Sequence, residues 1–288
     1  MIKFVVIPVK LSRLPRNNTS LQSILQPMHP MLNIAVRAAR RAGTIISRSL
    51  NRLDEIKINQ KGHQDFVTQV DQEAEAAIID TLLTAYPDHA ILAEESGSRG
   101  ESDYLWIIDP LDGTTNFVHG YPQFAVSIAL QVNGVVEQGV IYDPCRDELF
   151  TASKGAGAQL DNRKIRVSRC RKLNQALLAT GFPVRDPAVL NKFLPTLNVF
   201  LTATSGIRRA GAAALDLAYV ACGRLDGFWE FGLQPWDIAA GALIVQEAGG
   251  IVTSPGQNGD FLKSGDVLAA SPAIHTLMDG AISSALKK

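Results

Sequence analysis

Asp109-Pro110-Leu111-Asp112-Gly113-Thr114-Thr115-Asn116 sets two carboxylates three residues apart and follows them with a glycine, two hydroxyls and a carboxamide. Carboxylates held that close repel unless a cation sits between them or one takes up a proton. A divalent metal meets the demand, and a site built from carboxylate, hydroxyl and carbonyl oxygens suits Mg²⁺. Gly113 frees the backbone to turn, and N–H groups at the opening of a following helix favour an anion such as phosphate. The alternative is a plain turn with an N-cap. The apolar strand leading in and Pro110 favour metal plus phosphate.

The elements that must carry these residues are legible. Trp106-Ile107-Ile108 has strand character, and Pro110, which lacks a ladder donor, is expected to end the strand and leave Asp109 at its tip. Ala90-Ile91-Leu92-Ala93 is a second short buried strand, running directly into Glu94-Glu95-Ser96. Two strands therefore end in carboxylates near each other, the pattern of a site at a sheet edge. For Glu95 a solvated turn is the preferred reading.

Upstream, Ala35, Ala38, Ala39, Ala42, Ile45 and Ile46 recur at helical spacing from Pro30 on. Ala74, Ala77, Ile78, Thr81, Leu82 and Ala85 make a second helix, with Asp71 in its first turn and Pro87 beyond its end. The polar stretch Lys57 to Asp65 between them reads as a loop or hairpin. Downstream, strands are expected at 125–132 and 135–142, joined by Asn133-Gly134, and again at 164–167, 177–180 and 251–253. Helices are expected at 187–202 and 212–222, and from Asp237 to Ala248. Strands and helices mixed without strict alternation favour a layered α/β or α+β fold over a barrel.

Composition sets outer limits. The 288 residues carry 28 Lys+Arg against 28 Asp+Glu, so overall charge makes no case for nucleic acid or membrane as a partner. No acidic residue precedes Asp54, and Arg37, Arg40, Arg41 and Arg48 cluster on the first helix, as a solvated face or a contact for RNA or protein. Residues 1–29 contain Pro8, Pro15 and Pro27 and lack helical period, which reads as a disordered extension or a leader upstream of a natural start at Met28 or Met31. Its basic, acid-free character also resembles an organelle transit peptide. Residues 30–288 are expected to form the domain that carries this chemistry. Cys145, Cys170 and Cys222 are odd in number and far apart, suiting reduced thiols in the cytoplasm. No apolar run approaches the ~20 residues of a membrane span.

Several chemistries lack their motifs. The chain has no Gly-x-Ser-x-Gly elbow, no Gly-x-x-x-x-Gly-Lys-[Ser/Thr] loop and no His-Glu-x-x-His helix, and its histidines are scattered. Asp109 and Asp112 are one residue too far apart for the Asp-x-Asp of haloacid-dehalogenase phosphatases. Gly155-Ala156-Gly157-Ala158 lacks the third glycine of a dinucleotide fingerprint and reads as a turn.

Trp106 to Phe117, with Glu94-Glu95-Ser96 upstream and Trp236-Asp237-Ile238-Ala239-Ala240-Gly241 downstream, resembles the inositol monophosphatases from about Met28 to the chain end. The resemblance implies an αβαβα layered sandwich, often dimeric, binding two to three Mg²⁺ and inhibited by lithium. It assigns Glu94, Asp109, the Leu111 carbonyl and Thr114 to one metal, and Asp109, Asp112 and Asp237 to a second. It makes Thr114, oriented by Asp71 and Glu94, the group that activates water, and Gly113, Thr114 and Thr115 the phosphate cradle. Asp112, Ala213, Glu230 and Asp237 would meet the substrate, and Lys61 and Asp65 belong to a loop near the metals. The implied reaction is hydrolysis of myo-inositol monophosphate or a similar polyol phosphate. Fructose bisphosphate, adenosine bisphosphate and histidinol phosphate are the alternatives; a second phosphate would need a basic cluster such as Arg208-Arg209. Some bacterial relatives suggest another class, a protein of transcription or ribosome assembly.

Overall fold

The computed structural model describes residues 28–50, 52–53, 58–62, 65–184, 186–257 and 259–287. The expected extension up to residue 27 lies outside the described residues. Two helices come first, α1 (Pro30–Leu50) and α2 (Gln69–Ala85), flanking a hairpin of β1 (Ile58–Gly62) and β2 (Asp65–Thr68). A run of strands follows: β3 (Ala90–Ala93), β4 (Gly97–Arg99), β5 (Tyr104–Asp112), β6 (Ala125–Val132), β7 (Val135–Asp143), β8 (Glu148–Ser153), β9 (Gly157–Leu160) and β10 (Arg163–Lys164). The one-turn helix α3 (Thr114–Val118) interrupts it after β5. These eight strands make one sheet in the order β10-β9-β8-β7-β6-β5-β3-β4.

The second half contributes β11 (Leu177–Thr180), α4 (Pro187–Ala203), β12 (Gly206–Arg208), α5 (Ala213–Ala221), β13 (Gly227–Glu230), α6 (Pro235–Glu247), β14 (Ile251–Thr253), α7 (Phe261–Ser264), β15 (Val267–Ala270) and α8 (Pro272–Leu286). Its five strands form a second sheet, β12-β11-β13-β15-β14.

Side-chain alternation turns these elements into layers. Along β5, Trp106 and Ile108 point to a core shared with α1 and α2, whereas Ile107 points to the opposite face, where α5 and α6 lie. The far side of α5 and α6 packs on Ala179, Phe228, Val267 and Ala269 of the second sheet. That sheet's other face, with Leu178, Trp229 and Leu268, is covered by Phe193 and Phe200 of α4 and Ile274, Met278 and Ile282 of α8. The order is helix pair, sheet, helix pair, sheet, helix pair, the αβαβα sandwich that the family resemblance implies.

The central helix pair is apolar nearly all round because it has a sheet on both sides. Ile238, Ala239, Ala240, Leu243, Ile244 and Val245 of α6 are all buried. Close approach to the first sheet depends on Gly139 of β7, where a Cβ would lie 2.9 Å from the Ala240 carbonyl oxygen.

Most expected boundaries match within a residue or two. One strand is shorter than expected: Arg163 and Lys164 pair with β9, Ile165 still donates its N–H to the Ala158 carbonyl at 3.0 Å, and residues 166–167 leave the sheet. Val167 instead donates its N–H to the Ala248 carbonyl. The alternation read there reflects Ile165 and Val167 packing on the α6 core. The three cysteines are unpaired. No described helix is long and apolar enough to cross a membrane.

Candidate active site

β5 does not stop at Pro110 but runs on to Asp112. Asp109 pairs with Ser127 and Asp112 with Ala125, so Pro110 and Leu111 together oppose one residue of β6. This is a bulge, and within it the N–H that proline lacks is not missed. Leu111 N–H turns inward to Asp109 Oδ1 at 2.9 Å. The bulge keeps both acids at the sheet's end, 2% and 9% exposed.

Gly113 then takes φ 97°, ψ 34° and caps α3. A Cβ there would sit 2.9 Å from the Gln123 carbonyl oxygen, so both the turn and its surroundings require glycine. The turn delivers Thr114 Oγ1 to 3.0 Å from Asp71 Oδ1 and 3.1 Å from the Leu111 carbonyl oxygen. Asp71 is fixed by the start of its own helix. Its Oδ2 accepts from Thr68 N–H at 2.8 Å and from the Thr68 hydroxyl at 2.5 Å, in a capping box. Burial raises the Asp71 carboxyl above its ordinary range against the opposing pull of these hydrogen bonds.

The third acid arrives from the layer between the sheets. Asp237 occupies the third position of α6 rather than opening it, and its Oδ2 accepts from Gln234 N–H at 2.7 Å. Ser127 Oγ, opposite Asp109 on β6, donates to the Trp236 carbonyl at 3.1 Å and ties the start of α6 to the strand. Oxygens of Asp109, Asp112 and Asp237 lie within 4.8 Å of one another.

Glu94 stands beside this triad. Its N–H bonds to the Ile108 carbonyl at 3.1 Å, just short of Asp109, because β3 and β5 are parallel neighbours. Asp109 is raised well above the carboxylate range, by burial first and then by the charges of Glu94, Asp112 and Asp237. Asp112 is raised by burial and by Asp237, although Ala214 N–H donates to its Oδ2 at 2.7 Å. A cluster this repulsive fits a divalent cation: it supplies several hard oxygen donors in a small volume and is unfavourable without positive charge.

Ala213 opens α5 next to that Ala214 contact, and Glu230 ends β13 on the same side. Glu230 is pushed up to about 8 by burial and by Asp237, with Arg209 opposing. Gly113, Thr114 and Thr115 form the turn beneath the acids. The fold thus gathers Asp71, Glu94, Asp109, Leu111, Asp112, Gly113, Thr114, Thr115, Ala213, Glu230 and Asp237 from both halves of the chain. Lys61 and Asp65 fall in the β1–β2 hairpin, and their side chains lie outside the described residues.

Two acids escaped the sequence reading. Asp216 of α5 is 2% exposed and raised well above its usual range by burial and by Glu230 and Asp112. Glu75 of α2 is 3% exposed and accepts from Glu95 N–H and Ser96 N–H, each at 2.8 Å. The available signal was a charge on an otherwise apolar helix stripe, between Ala74 and Ala77 for Glu75 and between Leu215 and Leu217 for Asp216.

Sequence comparison decides the family. The sequence model of the inositol monophosphatase family matches residues 27–287. The chain belongs to the inositol monophosphatase family. It is 56% identical over 250 residues to the Nus factor SuhB of Pseudomonas aeruginosa, covering 85% of this chain and 92% of that protein. Among solved structures, the extragenic suppressor protein suhB of Bartonella henselae superposes with a TM-score of 0.85 at 44% identity, over 88% of this chain and 98% of that one. The inositol monophosphatase of Anabaena gives 0.78 at 40% identity, over 88% and 95%.

Proposed function

We propose that this chain is a Mg²⁺-dependent phosphomonoesterase that releases phosphate from myo-inositol monophosphate or a similar small polyol monophosphate. The convergence of Asp109, Asp112 and Asp237 within 4.8 Å, beside Thr114 and Asp71, carries the reading. Asp109, Asp112, Asp237 and Glu94, with Thr114 and the Leu111 carbonyl, would hold two to three ions. Bound there, Mg²⁺ supplies Lewis-acid neutralisation of charge on the phosphoryl group.

The protein's own groups do the rest. Thr114 donates its one hydroxyl proton to Asp71 or Leu111 and keeps lone pairs with which to hold a water in line with phosphorus. Asp71, with a raised carboxyl, is suited to receive the proton passed through Thr114. Backbone N–H groups from Gly113 to Thr115 bind phosphoryl oxygens. Glu230, with Ala213 nearby, hydrogen-bonds the hydroxyls of the polyol. The acids Glu230, Asp216 and Asp237 outnumber Arg209 in this part of the cleft, which favours a substrate with one phosphate over a bisphosphate.

Phosphate release across inositol, fructose, adenosine and histidinol phosphates with Mg²⁺ titrated tests the proposal. A strong preference for a bisphosphate would reject the polyol monophosphate. We read the assembly as a homodimer, inhibited by lithium, and the unpaired cysteines as support for the cytoplasm.

The name of the Pseudomonas relative, Nus factor SuhB, favours a second role in transcription. Two of the four α1 arginines are engaged within the chain, Arg40 with Asp147 at 2.9 Å and Arg41 with Asp80 at 2.6 Å, which weakens the case for RNA contact at those two positions. Binding to a transcription complex that survives Asp109→Asn, while hydrolysis does not, would separate the two roles.

A further inference from the structure

α2 carries two buried carboxylates one helical turn apart, and both reach toward the candidate metal site. Asp71 takes the Thr114 hydroxyl; Glu75 takes the turn after β3. The two oxygens of Glu75 are divided between consecutive N–H groups, Oε2 to Glu95 and Oε1 to Ser96, both at 2.8 Å. Hydrogen bonds from backbone N–H to a carboxylate are among the strong ones, and removing a buried acceptor leaves its donors unsatisfied.

The turn so held begins with Glu94. Its upstream side is fixed by the Glu94 N–H bond to Ile108, within the parallel pairing of β3 and β5. Glu75 fixes the downstream side. Glu94 is thereby clamped at both ends, and its charge is felt at Asp109 and Asp112.

We propose that Glu75 is a positioning residue for the metal site: by gripping the Glu95 and Ser96 amides it aims the Glu94 carboxylate at the cation. The role rests on the metal-site reading above. Groups that orient a ligand typically change metal affinity about 10–100-fold when removed. Glu75→Gln keeps the length of the side chain but turns one acceptor into a donor facing an N–H.

Mn²⁺ binding to the purified full chain, followed by calorimetry, is the direct test, with the Mg²⁺ dependence of phosphate release in parallel. Glu75→Gln is expected to weaken Mn²⁺ binding about 10-fold and to raise the half-maximal Mg²⁺ by a similar factor. At saturating Mg²⁺, kcat should return to near the wild-type value. Thr196→Val, which breaks the buried 3.0 Å bond from Trp229 Nε1 in the far layer, is the control for a merely destabilised protein and should leave both metal readouts unchanged.

Wild-type protein also reports on the link without any substitution. Mg²⁺ should slow amide exchange at Glu95 and Ser96, since a grip that favours the metal must itself be favoured by it. Tight Mn²⁺ binding that Glu75→Gln leaves unchanged, or a Thr196→Val protein with the same metal defect, overturns the role of Glu75 alone. Wild-type protein that binds no Mn²⁺ overturns the metal site and this role together.

Discussion

Asp109 is the residue on which opposing forces meet most sharply, because it is 2% exposed and bordered by the charges of Glu94, Asp112 and Asp237. Without a cation the cluster opposes folding; with one it becomes the reason for the site. Asp109→Asn should therefore raise the melting temperature of metal-free protein by a few degrees while lowering kcat/KM by more than about 100-fold, beyond what loss of an orienting group costs. Parallel thermal melts and phosphate-release assays check both halves.

Glu230 gives a pH prediction. Its carboxyl is raised from 4.5 to about 8 on folding, so between those values the folded protein holds a proton that the unfolded chain releases. The stability this proton contributes is complete below pH 4.5 and is lost as pH rises through about 8. Melting of metal-free protein in EDTA should thus fall from pH 5 to 8, and Glu230→Gln should flatten the fall. An equal slope in both proteins would reject the assignment.

At the scale of elements, the site is a matter of where strand ends and helix starts are placed. The β5 bulge sets Asp109 and Asp112, and the capping boxes of α2 and α6 set Asp71 and Asp237. The seating of α6 on β7 through Gly139 decides whether Asp237 reaches the other acids. Gly139→Ala puts a methyl 2.9 Å from the Ala240 carbonyl oxygen. It should cost about 1–3 kcal/mol of stability, as overpacking does, and should weaken Mg²⁺ binding because α6 is pushed outward. Denaturant unfolding and calorimetry measure the two effects.

Across the whole molecule, acids from the first sheet and from the layer between the sheets converge, so a cation bound among them would cross-link the halves of the chain. Asn116 is a second link: its Nδ2 reaches the carbonyls of Gln123, Ala210 and Gly211 at 2.7, 2.9 and 3.2 Å. Asn116→Ala should cost about 1–3 kcal/mol by leaving those carbonyls without a donor. Mg²⁺ at 100 times its dissociation constant should stabilise wild-type protein by about 2.7 kcal/mol and do much less for Asp237→Asn. Melting curves with and without Mg²⁺ supply the comparison.

Local order was written plainly in the chain. The periods of the helices, the Asn133-Gly134 hairpin and the strands ending at Glu94 and near Asp109 each depend on neighbouring residues alone, so the sequence by itself determined them. Pro110 was misread as a stop because a bulge depends on the partner strand, and beyond Ile165 the alternation at 164–167 was packing without sheet pairing. Sequence also determined, through resemblance, which acids belong together. Only the tertiary structure decided that Asp109, Asp112 and Asp237 share 4.8 Å, that Asp216 is buried near Asp112, and that Glu75 is buried against the turn following Glu94. The reason is physical: a carboxylate's role follows from burial and from the charges around it, and residues 128 positions apart along the chain become neighbours only when two sheets close on a shared helix layer.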